Sequence, residues 1–374
     1  MEPKFVNLAP GDPAPWFTAN STSNPRYAFS SVAGRYILLC FLGTASDPDG
    51  ASAIRAVATH RHLFDDARLS FFGVTLDPSD QATGRLRESM PGLRHFWDFD
   101  GAISRAYGAV PLAAAAETRV PLRRFWLLLD PSLRVLRLEL FRPGGAEQAE
   151  LFAFLASLPQ PGILDGMQVP APILLLPNVF EPELCRHLIA LYKSHGGEDS
   201  GFMQEAGGKT VLVADPAHKR RRDYFIDDPA LQQAIQARVK RRIVPEIAKA
   251  FQFNATRMER YLVGCYAATD GGHFRAHRDN TTKGTAHRRF AVSINLNDGF
   301  EGGEIGFPEF GPQRFKPWPG SAVVFSCSLL HAVTRVTHGE RYAFLPFLYD
   351  DAAARIRLDN NKFLDPSLDR YEDT

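Results

Sequence analysis

The sequence predicts two domains, an α/β domain followed by an all-β barrel that helices buttress. Over residues 1–157, short apolar runs alternate with helical stretches, whereas the later part of the chain consists of short strand-like runs separated by turns. Between them, residues 158–177 carry five prolines and two glycines, which favour extended backbone and mark a linker and first strand. The barrel domain then covers 178–352, and 353–374 is a tail that we leave unassigned.

Three apolar runs in the first domain predict buried strands. They are RYILLCFLG (35–43), LSFFGVTLD (69–77) and RRFWLLLD (123–130). The stretch DGASAIRAVATHRHLFDD (49–66) after the first run has a helical pattern. Strands separated by helical stretches predict a sheet with parallel pairs, covered by helices on both faces.

Two helices are predicted to precede the strands of the second domain. Residues 181–197 have an amphipathic pattern that ends on Gly-Gly, and residues 230–251 form a second helical stretch interrupted at Pro245. From 258 to 350 the short runs are rich in β-branched and aromatic residues and are separated by Gly, Asp, Asn and Pro. This spacing is typical of a barrel or sandwich, and the preceding helices favour a buttressed barrel.

Composition argues against several classes of partner. Lys plus Arg is 43 and Asp plus Glu is 42, so no overall charge favours nucleic acid or an acidic membrane surface. The basic run HKRRRD (218–223) is expected to be a solvated face, with a docking patch for an acidic partner as the alternative. Four cysteines without a CxxC motif indicate a reducing compartment, and neither a signal peptide nor an apolar run of about 20 residues is evident. We therefore expect a soluble, cytoplasmic protein.

The stretch HFRAHRDN (273–280) contains a candidate metal site. On a strand, residues two apart point to the same face, so His277 and Asp279 would project together. A third ligand is available in His331, 52 residues after Asp279. Two histidines and one carboxylate form the facial triad of non-haem Fe(II) oxygenases. The alternatives are a chance His-x-Asp pair in a loop and a histidine that belongs to the barrel core.

Arg341 supports the metal hypothesis. It follows His331 by ten residues across the predicted turn 336–340, so a return strand would bring it near the same pocket. A buried arginine needs an anionic partner, and a carboxylate suits its bidentate geometry. 2-Oxoglutarate would satisfy both features, because its 2-oxo acid end chelates iron and its distal carboxylate needs a cation.

The second domain resembles a known enzyme family. The resemblance is carried by CYAATDGGHFRAHRDN, SINLNDGFEGGEIGFPEFG and PGSAVVFSCSLLHAVTRVTHGERYAF. These segments resemble the prolyl-4-hydroxylase-type family of Fe(II)/2-oxoglutarate dioxygenases, over roughly 170–350. The resemblance implies a double-stranded β-helix (jelly-roll) barrel, iron ligands at His277, Asp279 and His331, and Arg341 on the distal carboxylate.

The same resemblance implies further contacts and a reaction. Tyr266 and Asn295 stand where relatives contact the cosubstrate, although Tyr266 could equally be a barrel tyrosine. Because Asp279 is retained, hydroxylation is favoured over halogenation. In hydroxylation O2 is consumed and 2-oxoglutarate is decarboxylated to succinate and CO2, and ascorbate stays open as a reductant. The substrate is a prolyl residue of a protein or peptide, a free amino acid or another small molecule. A homodimer is left open.

Two loops are predicted to form a substrate lid. Residues 201–225 and 280–289 are rich in glycine and in basic residues. Such loops would suit closure over an acidic or peptide substrate. Lys283, Arg288 and Arg289 are the candidate contacts for that substrate.

The first domain resembles a peroxiredoxin of the thioredoxin fold, over residues 10–157. The resemblance is carried by GDPAPWF, FFGVTLDPSD, FWDFDGAISRAYGAV and RVPLRRFWLLLDPSLRVL. Peroxiredoxins place a reactive cysteine in a Thr-x-x-Cys arrangement, and here Thr44 is followed at that spacing by Asp47. Arg124 stands where relatives keep an arginine near the thiol. Cys40 lies inside the apolar strand, where burial makes a thiol inert.

This domain is therefore expected to be non-catalytic and to serve packing, dimerisation or substrate presentation. Two alternatives to an oxygenase remain. One is a peroxidase that works through the first domain, and the other is a scaffold in which both domains have lost activity.

Overall fold

The computed structural model describes residues 4–112, 121–164 and 166–372. It divides into two compact units. The first unit is Met1–Pro170 with Pro308–Pro312, and the second is Ala171–Phe307 with Gln313–Thr374. The division at Pro170 lies within the segment 158–177.

The first unit is an α/β domain. Its strands are β1 (Thr18–Ala19), β2 (Tyr27–Ala28), β3 (Tyr36–Gly43), β4 (Leu69–Thr75), β5 (Leu93–Trp97), β6 (Phe125–Leu129), β7 (Val135–Leu140), β8 (Ile163–Leu164) and β9 (Met167–Gln168). Its helices are α1 (Pro48–Thr59), α2 (Pro78–Ala82), α3 (Ala102–Tyr107) and α4 (Gln148–Ser157). The main sheet has the order β5-β4-β3-β6-β7, with β3 parallel to β4 and β4 parallel to β5.

The three predicted apolar strands form the centre of this sheet. Every residue of β3, β4 and β6 is buried, as continuous apolar runs require. The third run, β6, joins antiparallel to β3. The sheet is therefore mixed, and the predicted thioredoxin-like α/β domain is confirmed.

The second unit is built from short strands and four helices. Its strands are β10 (Leu174–Leu176), β11 (Glu198–Asp199), β12 (Phe202–Ala206), β13 (Lys209–Val213), β14 (Lys219–Arg220), β15 (Arg222–Phe225), β16 (Arg257–Glu259), β17 (Leu262–Ala267), β18 (His273–His277), β19 (Phe290–Asn295), β20 (Phe300–Glu301), β21 (Ile305–Gly306), β22 (Arg314–Phe315), β23 (Ala322–Ser326), β24 (His331–Val333), β25 (His338–Phe344) and β26 (Phe347–Tyr349). Its helices are α5 (Pro182–His195), α6 (Pro229–Arg242), α7 (Val244–Phe251) and α8 (Asp351–Asp359).

Two antiparallel sheets make up the barrel. The larger follows the order β10-β23-β19-β25-β17-β15-β11, and the smaller follows β14-β18-β24-β21-β22. This arrangement confirms the predicted double-stranded β-helix. The second helical stretch is interrupted between α6 and α7, next to the predicted break at Pro245. Among helices of the described residues, none combines the length and apolarity needed to cross a bilayer.

The main core of the second unit lies between the helices and one face of the larger sheet. Leu188 of α5, Ile235 of α6 and Ile247 of α7 are fully buried against sheet residues such as Val324 and Phe344. Because side chains alternate along a strand, the other face of the sheet points into the barrel interior. That interior face holds the polar residues described below.

The prediction that HKRRRD (218–223) is a solvated face was wrong. Lys219, Arg221 and Asp223 are 6%, 8% and 4% exposed, whereas Arg220 and Arg222 are exposed. The run spans β14, which pairs with the smaller sheet, and β15, which pairs with the larger. Alternate side chains consequently point into the barrel, where Asp223 neutralises part of the buried positive charge.

Candidate active site

The two predicted histidine ligands lie opposite each other on neighbouring strands. His277 ends β18 and His331 begins β24, and the two residues are paired across the strands. Asp279 follows β18, with its Oδ1 3.5 Å from His277 Nε2 and its Oδ2 3.3 Å from His331 Nε2. One ligand atom from each of the three residues lies within 4.8 Å of the others. The structure thus brings together the whole predicted triad.

Backbone carbonyls orient both imidazole rings. His277 Nδ1 donates to the carbonyl of Arg275 at 2.7 Å, and His331 Nδ1 donates to that of Leu329 at 3.0 Å. Because a carbonyl can only accept, each Nδ1 carries the proton. In the neutral form of a ring with the proton on Nδ1, Nε2 keeps the lone pair, and here Nε2 faces the centre of the cluster.

The charge states of the cluster suit a divalent cation. Burial, followed by the neighbouring His331, lowers the pKa of His277 to about 4, so this ring is neutral at pH 7. Burial by itself raises the pKa of Asp279, but His331 and His277 outweigh it and hold that pKa below its usual value. The donor set is consequently imidazole nitrogen and carboxylate oxygen, the combination that binds Fe(II) in a facial triad.

Polar residues on the larger sheet line the interior beside this cluster. Tyr266 on β17 is paired with Arg341 on β25, and Asn295 lies on β19 next to β25. Their neighbours Ile294 and Tyr342 point the other way, into the helix-covered core. The period of two along each strand thus separates the apolar core from the polar interior.

Arg341 is 1% exposed and makes hydrogen bonds only to neutral groups among the described residues. Its Nε and Nη2 donate to Asn295 Oδ1 at 3.1 and 3.0 Å, and Nη2 also donates to Ser293 Oγ at 2.8 Å. Its Nη1 has no partner within that part of the chain. Burial lowers the pKa of this guanidinium, although Tyr266 acts in the opposite direction. A buried cation of this kind is stabilised by an anion with two oxygens, such as a carboxylate.

Tyr266 and Asn295 hold different positions around Arg341. The Tyr266 ring is 1% exposed and lies near two guanidinium groups, its centre 5.3 Å from that of Arg341 and 5.7 Å from that of Arg221. Its hydroxyl accepts a hydrogen bond from Arg221 Nη1 at 3.4 Å. Both ends of the Asn295 amide are hydrogen-bonded. Oδ1 accepts from Arg341, and Nδ2 donates to the Pro317 carbonyl at 2.8 Å. Asn295 therefore fixes the guanidinium of Arg341.

Sequence reasoning missed Lys219 and Arg221, which the structure places in the same interior. Lys219 Nζ lies 4.9 Å from the centre of the Phe274 ring, and Arg221 contacts the Tyr266 hydroxyl. The sequence held no signal for them, because the run 218–223 is hydrophilic at every position. The alternation of Lys219, Arg221 and Asp223 with exposed arginines appears only in the structure.

The candidate lid loops are tied to each other and to the C-terminal tail. The Gly284 backbone N–H donates to Thr210 Oγ1 at 2.9 Å, and the Asp365 backbone N–H donates to the Thr210 carbonyl at 2.9 Å. Arg288 does not offer a free charge to substrate, because its Nε donates to Glu259 Oε1 at 2.6 Å. Lys283 Nζ lies over a ring of the tail, 3.8 Å from the centre of Phe363. Closure of a lid over substrate stays a prediction.

In the first unit, an ion pair occupies the position of the missing cysteine. Asp47 caps α1, with Oδ1 accepting from the Gly50 backbone N–H at 2.9 Å. Arg124 donates from Nη1 to the same Oδ1 at 3.2 Å and from Nη2 to Oδ2, and it lies 3.4 Å from Asp49. Cys40 is fully buried, and burial raises the pKa of its thiol well above the usual value. The described part of this unit therefore offers no reactive thiolate.

Comparisons with known proteins agree with both resemblances. Residues 261–349 match the 2OG-Fe(II) oxygenase superfamily, and residues 10–132 match the AhpC/TSA family. A PKHD-type hydroxylase of Shewanella sp. (strain ANA-3) is 30% identical over 180 residues, which cover 46% of this chain and 76% of the relative.

Two solved structures align with separate parts of the chain. A prolyl-4-hydroxylase of Pseudomonas putida covers 48% of this chain and 94% of its own, at 17% identity and a TM-score of 0.35. The peroxidoxin BcpB of Mycobacterium tuberculosis covers 41% of this chain and 100% of its own, at 18% identity and a TM-score of 0.34. Because more than two thirds of the Shewanella hydroxylase is matched at 30% identity, the chain belongs to the 2OG-Fe(II) oxygenase superfamily, with a peroxiredoxin-like domain of the AhpC/TSA type at its N-terminal side.

Proposed function

We propose that the protein is an Fe(II)- and 2-oxoglutarate-dependent dioxygenase that hydroxylates a C–H bond of its substrate. One observation carries the proposal. Arg341 is a buried arginine with an unpartnered Nη1, and it lies in the same barrel as a cluster of two histidines and one carboxylate. A carboxylate on Arg341 and a metal on the cluster together describe the two ends of 2-oxoglutarate.

The residues present fit both groups. His277, Asp279 and His331 would hold Fe(II), because their donor atoms converge and His277 is already neutral at pH 7. Arg341 would hold the distal carboxylate of 2-oxoglutarate through its free Nη1. When bound, iron and 2-oxoglutarate supply the oxidising power with O2, so that R–H, 2-oxoglutarate and O2 give R–OH, succinate and CO2.

The chain itself supplies orientation and exclusion of water. Ser293 and Asn295 fix the plane of the Arg341 guanidinium, so little conformational entropy is lost when a carboxylate binds. The Tyr266 ring covers one side of that guanidinium. Arg275 and Leu329 keep the two imidazoles in the tautomer that a metal requires.

The substrate class follows only from the relatives. The matched Shewanella protein is a PKHD-type hydroxylase, and a prolyl residue in a protein or peptide is the first substrate to test. A free amino acid or another small molecule is the alternative. The peroxiredoxin-like domain is proposed to be non-catalytic, since Asp47 and Arg124 neutralise each other where a thiolate would stand.

The test is an anaerobic titration with Fe(II) and 2-oxoglutarate, followed by admission of air. We expect a visible metal-to-2-oxoglutarate charge-transfer band and, after air, succinate. Replacing Arg341→Ala should weaken 2-oxoglutarate binding by about 100-fold, since a buried charge loses its partner. Arg241→Ala, which removes an exposed arginine side chain of α6, is the matched control. A protein that gives neither band nor succinate is not an oxygenase.

A further inference from the structure

Lys219 lies inside the barrel, one aromatic ring away from a residue of the triad. It is paired with Phe274 across β14 and β18, and residues paired in this way project to the same face. The Phe274 ring stacks on His277, with 3.4 Å between ring centres. Lys219 Nζ lies 4.9 Å from the centre of the Phe274 ring, and the residue is 6% exposed.

The ammonium of Lys219 has room for one more acceptor. Nζ donates to Ser200 Oγ and to the Gly201 carbonyl, both at 2.6 Å. Both acceptors are neutral. Because an ammonium carries three N–H donors, one donor has no protein acceptor within the described residues.

Asp223, the carboxylate that acts most strongly on Lys219, is already bound to other groups. Asp223 accepts from Arg221 Nε and Nη2, each at 2.6 Å, and from the Ser200 hydroxyl at 2.5 Å. Arg260 Nη2 lies 3.6 Å from the same carboxylate. Lys219, Arg221 and Arg260 all interact with this one carboxylate, while Asp279 acts more weakly on Lys219 and Glu259 acts more weakly on Arg260. Burial, and next Arg221, lower the pKa of Lys219 well below its usual value, although Asp223 and Asp279 act in the opposite direction.

Cofactor binding does not remove this surplus of positive charge. Fe(II) and the 2-oxoglutarate dianion carry equal and opposite charges, and Arg341 and Asp279 likewise cancel. The cluster around Asp223 keeps its excess of cations after both have bound. An anionic group of the substrate would reduce this excess, because a buried cation is stabilised by an anion.

We infer that Lys219 is a substrate-recognition residue and that the substrate carries a carboxylate, which the ammonium of Lys219 receives. This inference rests on the proposed function, since it assigns the other carboxylate site to 2-oxoglutarate. It narrows the substrate to an anionic molecule. This carboxylate could be of two kinds: the α-carboxylate of a free amino acid or of a peptide C-terminus, or the side-chain carboxylate of an acidic residue.

The test compares acids with their amides on protein loaded with Mn(II) and 2-oxoglutarate, which fill the triad and Arg341. Calorimetry measures the binding of N-acetyl-L-proline against N-acetyl-L-prolinamide, and of N-acetyl-L-aspartate amide against N-acetyl-L-asparagine amide. The first pair reports on an α-carboxylate and the second on a side-chain carboxylate. We expect the acid of at least one pair to bind about tenfold or more tightly than its amide in the wild type.

Substitution of Lys219 decides whether this residue is responsible. Lys219→Met should abolish the preference for the acid, Lys219→Arg should retain part of it, and Lys240→Met, at an exposed lysine, should leave it unchanged. Thermal unfolding checks the fold of each variant. Methionine has a similar volume and no charge to bury.

Two results would overturn the inference: no preference for the acid of either pair in the wild type, or a preference that persists in Lys219→Met. If Mn(II) and 2-oxoglutarate fail to bind in the loading titration, the proposed function is wrong. The acid and amide titrations still report on Lys219 in that case, so the two failures are distinguishable.

Discussion

Each domain of the protein holds an arginine beside a candidate reaction centre, and the two arginines differ in what neutralises them. In the first domain, Arg124 binds the carboxylate of Asp47 and lies near Asp49. In the barrel, Arg341 binds only the neutral oxygens of Ser293 and Asn295.

This difference in neutralisation indicates which of the two arginines can bind an anionic ligand. An arginine satisfied by its own chain offers no charge to a ligand. An arginine held rigidly by neutral groups is stabilised when an anion arrives. By this criterion the proposed anion site lies in the barrel, whereas in the peroxiredoxin-like domain an ion pair stands at the position where the resemblance implies a reactive thiolate.

The largest effect is expected from the metal cluster itself. Asp279→Ala removes the only carboxylate of the triad, and the two histidines alone should bind Fe(II) at least about 100-fold more weakly. Anaerobic Fe(II) titration measures this loss. Asp270→Ala, at an exposed acidic residue, is the control. Equal iron affinity in Asp279→Ala and the control would contradict the assignment of the triad.

The second effect concerns the residue that fixes Arg341. Asn295→Ala removes two hydrogen bonds to the guanidinium, each from a charged donor, and should weaken 2-oxoglutarate binding about tenfold. Fe(II) affinity should not change, which separates this effect from damage to the triad. The dependence of succinate formation on 2-oxoglutarate concentration provides the measurement, with the exposed Asn254→Ala as control. An unchanged dependence would mean that Asn295 does not position Arg341.

The third prediction restores the thiol to the first domain. In Asp47→Cys, Arg124 and the N-terminus of α1 should lower the pKa of the new thiol below about 7.5. The pH dependence of alkylation by iodoacetamide reports this pKa, with little background because all four native cysteines are buried. Ser46→Cys places a thiol on the adjacent exposed residue as the control. An ordinary pKa near about 8.5 in Asp47→Cys would show that the ion pair does not mark the thiolate position.

The smallest effect is expected on the free energy of unfolding when the ion pair between Asp47 and Arg124 is broken. Arg124→Ala breaks an ion pair whose side chains are 21% and 30% exposed. Partly solvated pairs contribute little, so the free energy of unfolding should fall by no more than about 1 kcal/mol. Urea denaturation monitored in the wild type and in Arg124→Ala measures it. A loss of several kcal/mol would indicate that this pair, rather than apolar burial, holds the domain together.

The sequence specified the triad and its arginine well. His277 ends β18 and Asp279 lies in the turn two residues later, not on the strand as predicted, so their closeness follows from short spacing along the chain. His331 and Arg341 needed only the order of strands that the family resemblance supplied. The three buried strands of the first domain were predicted equally well. A continuous apolar run is buried on both faces, so the prediction does not depend on which face points to solvent.

The sequence did not specify which charged residues are buried. Lys219, Arg221 and Asp223 lie in a run that is hydrophilic at every position, and only pairing with β17 and β18 decides which face enters the barrel. A shift of one residue would have buried Arg220 and Arg222 instead. Asn295 and Arg341 meet for the same reason, through the pairing of β19 with β25.

By itself, then, the sequence determined the two domains, the metal-binding residue types and the loss of the reactive cysteine at Asp47. These properties depend on residue identity and on short-range spacing. Only the tertiary structure decided that Arg341 lacks an anionic partner among the described residues, that Arg124 has one, and that Lys219 is buried inside the barrel. Whether a charge is compensated depends on distances between strands far apart in the chain, and those distances are fixed by strand register and burial.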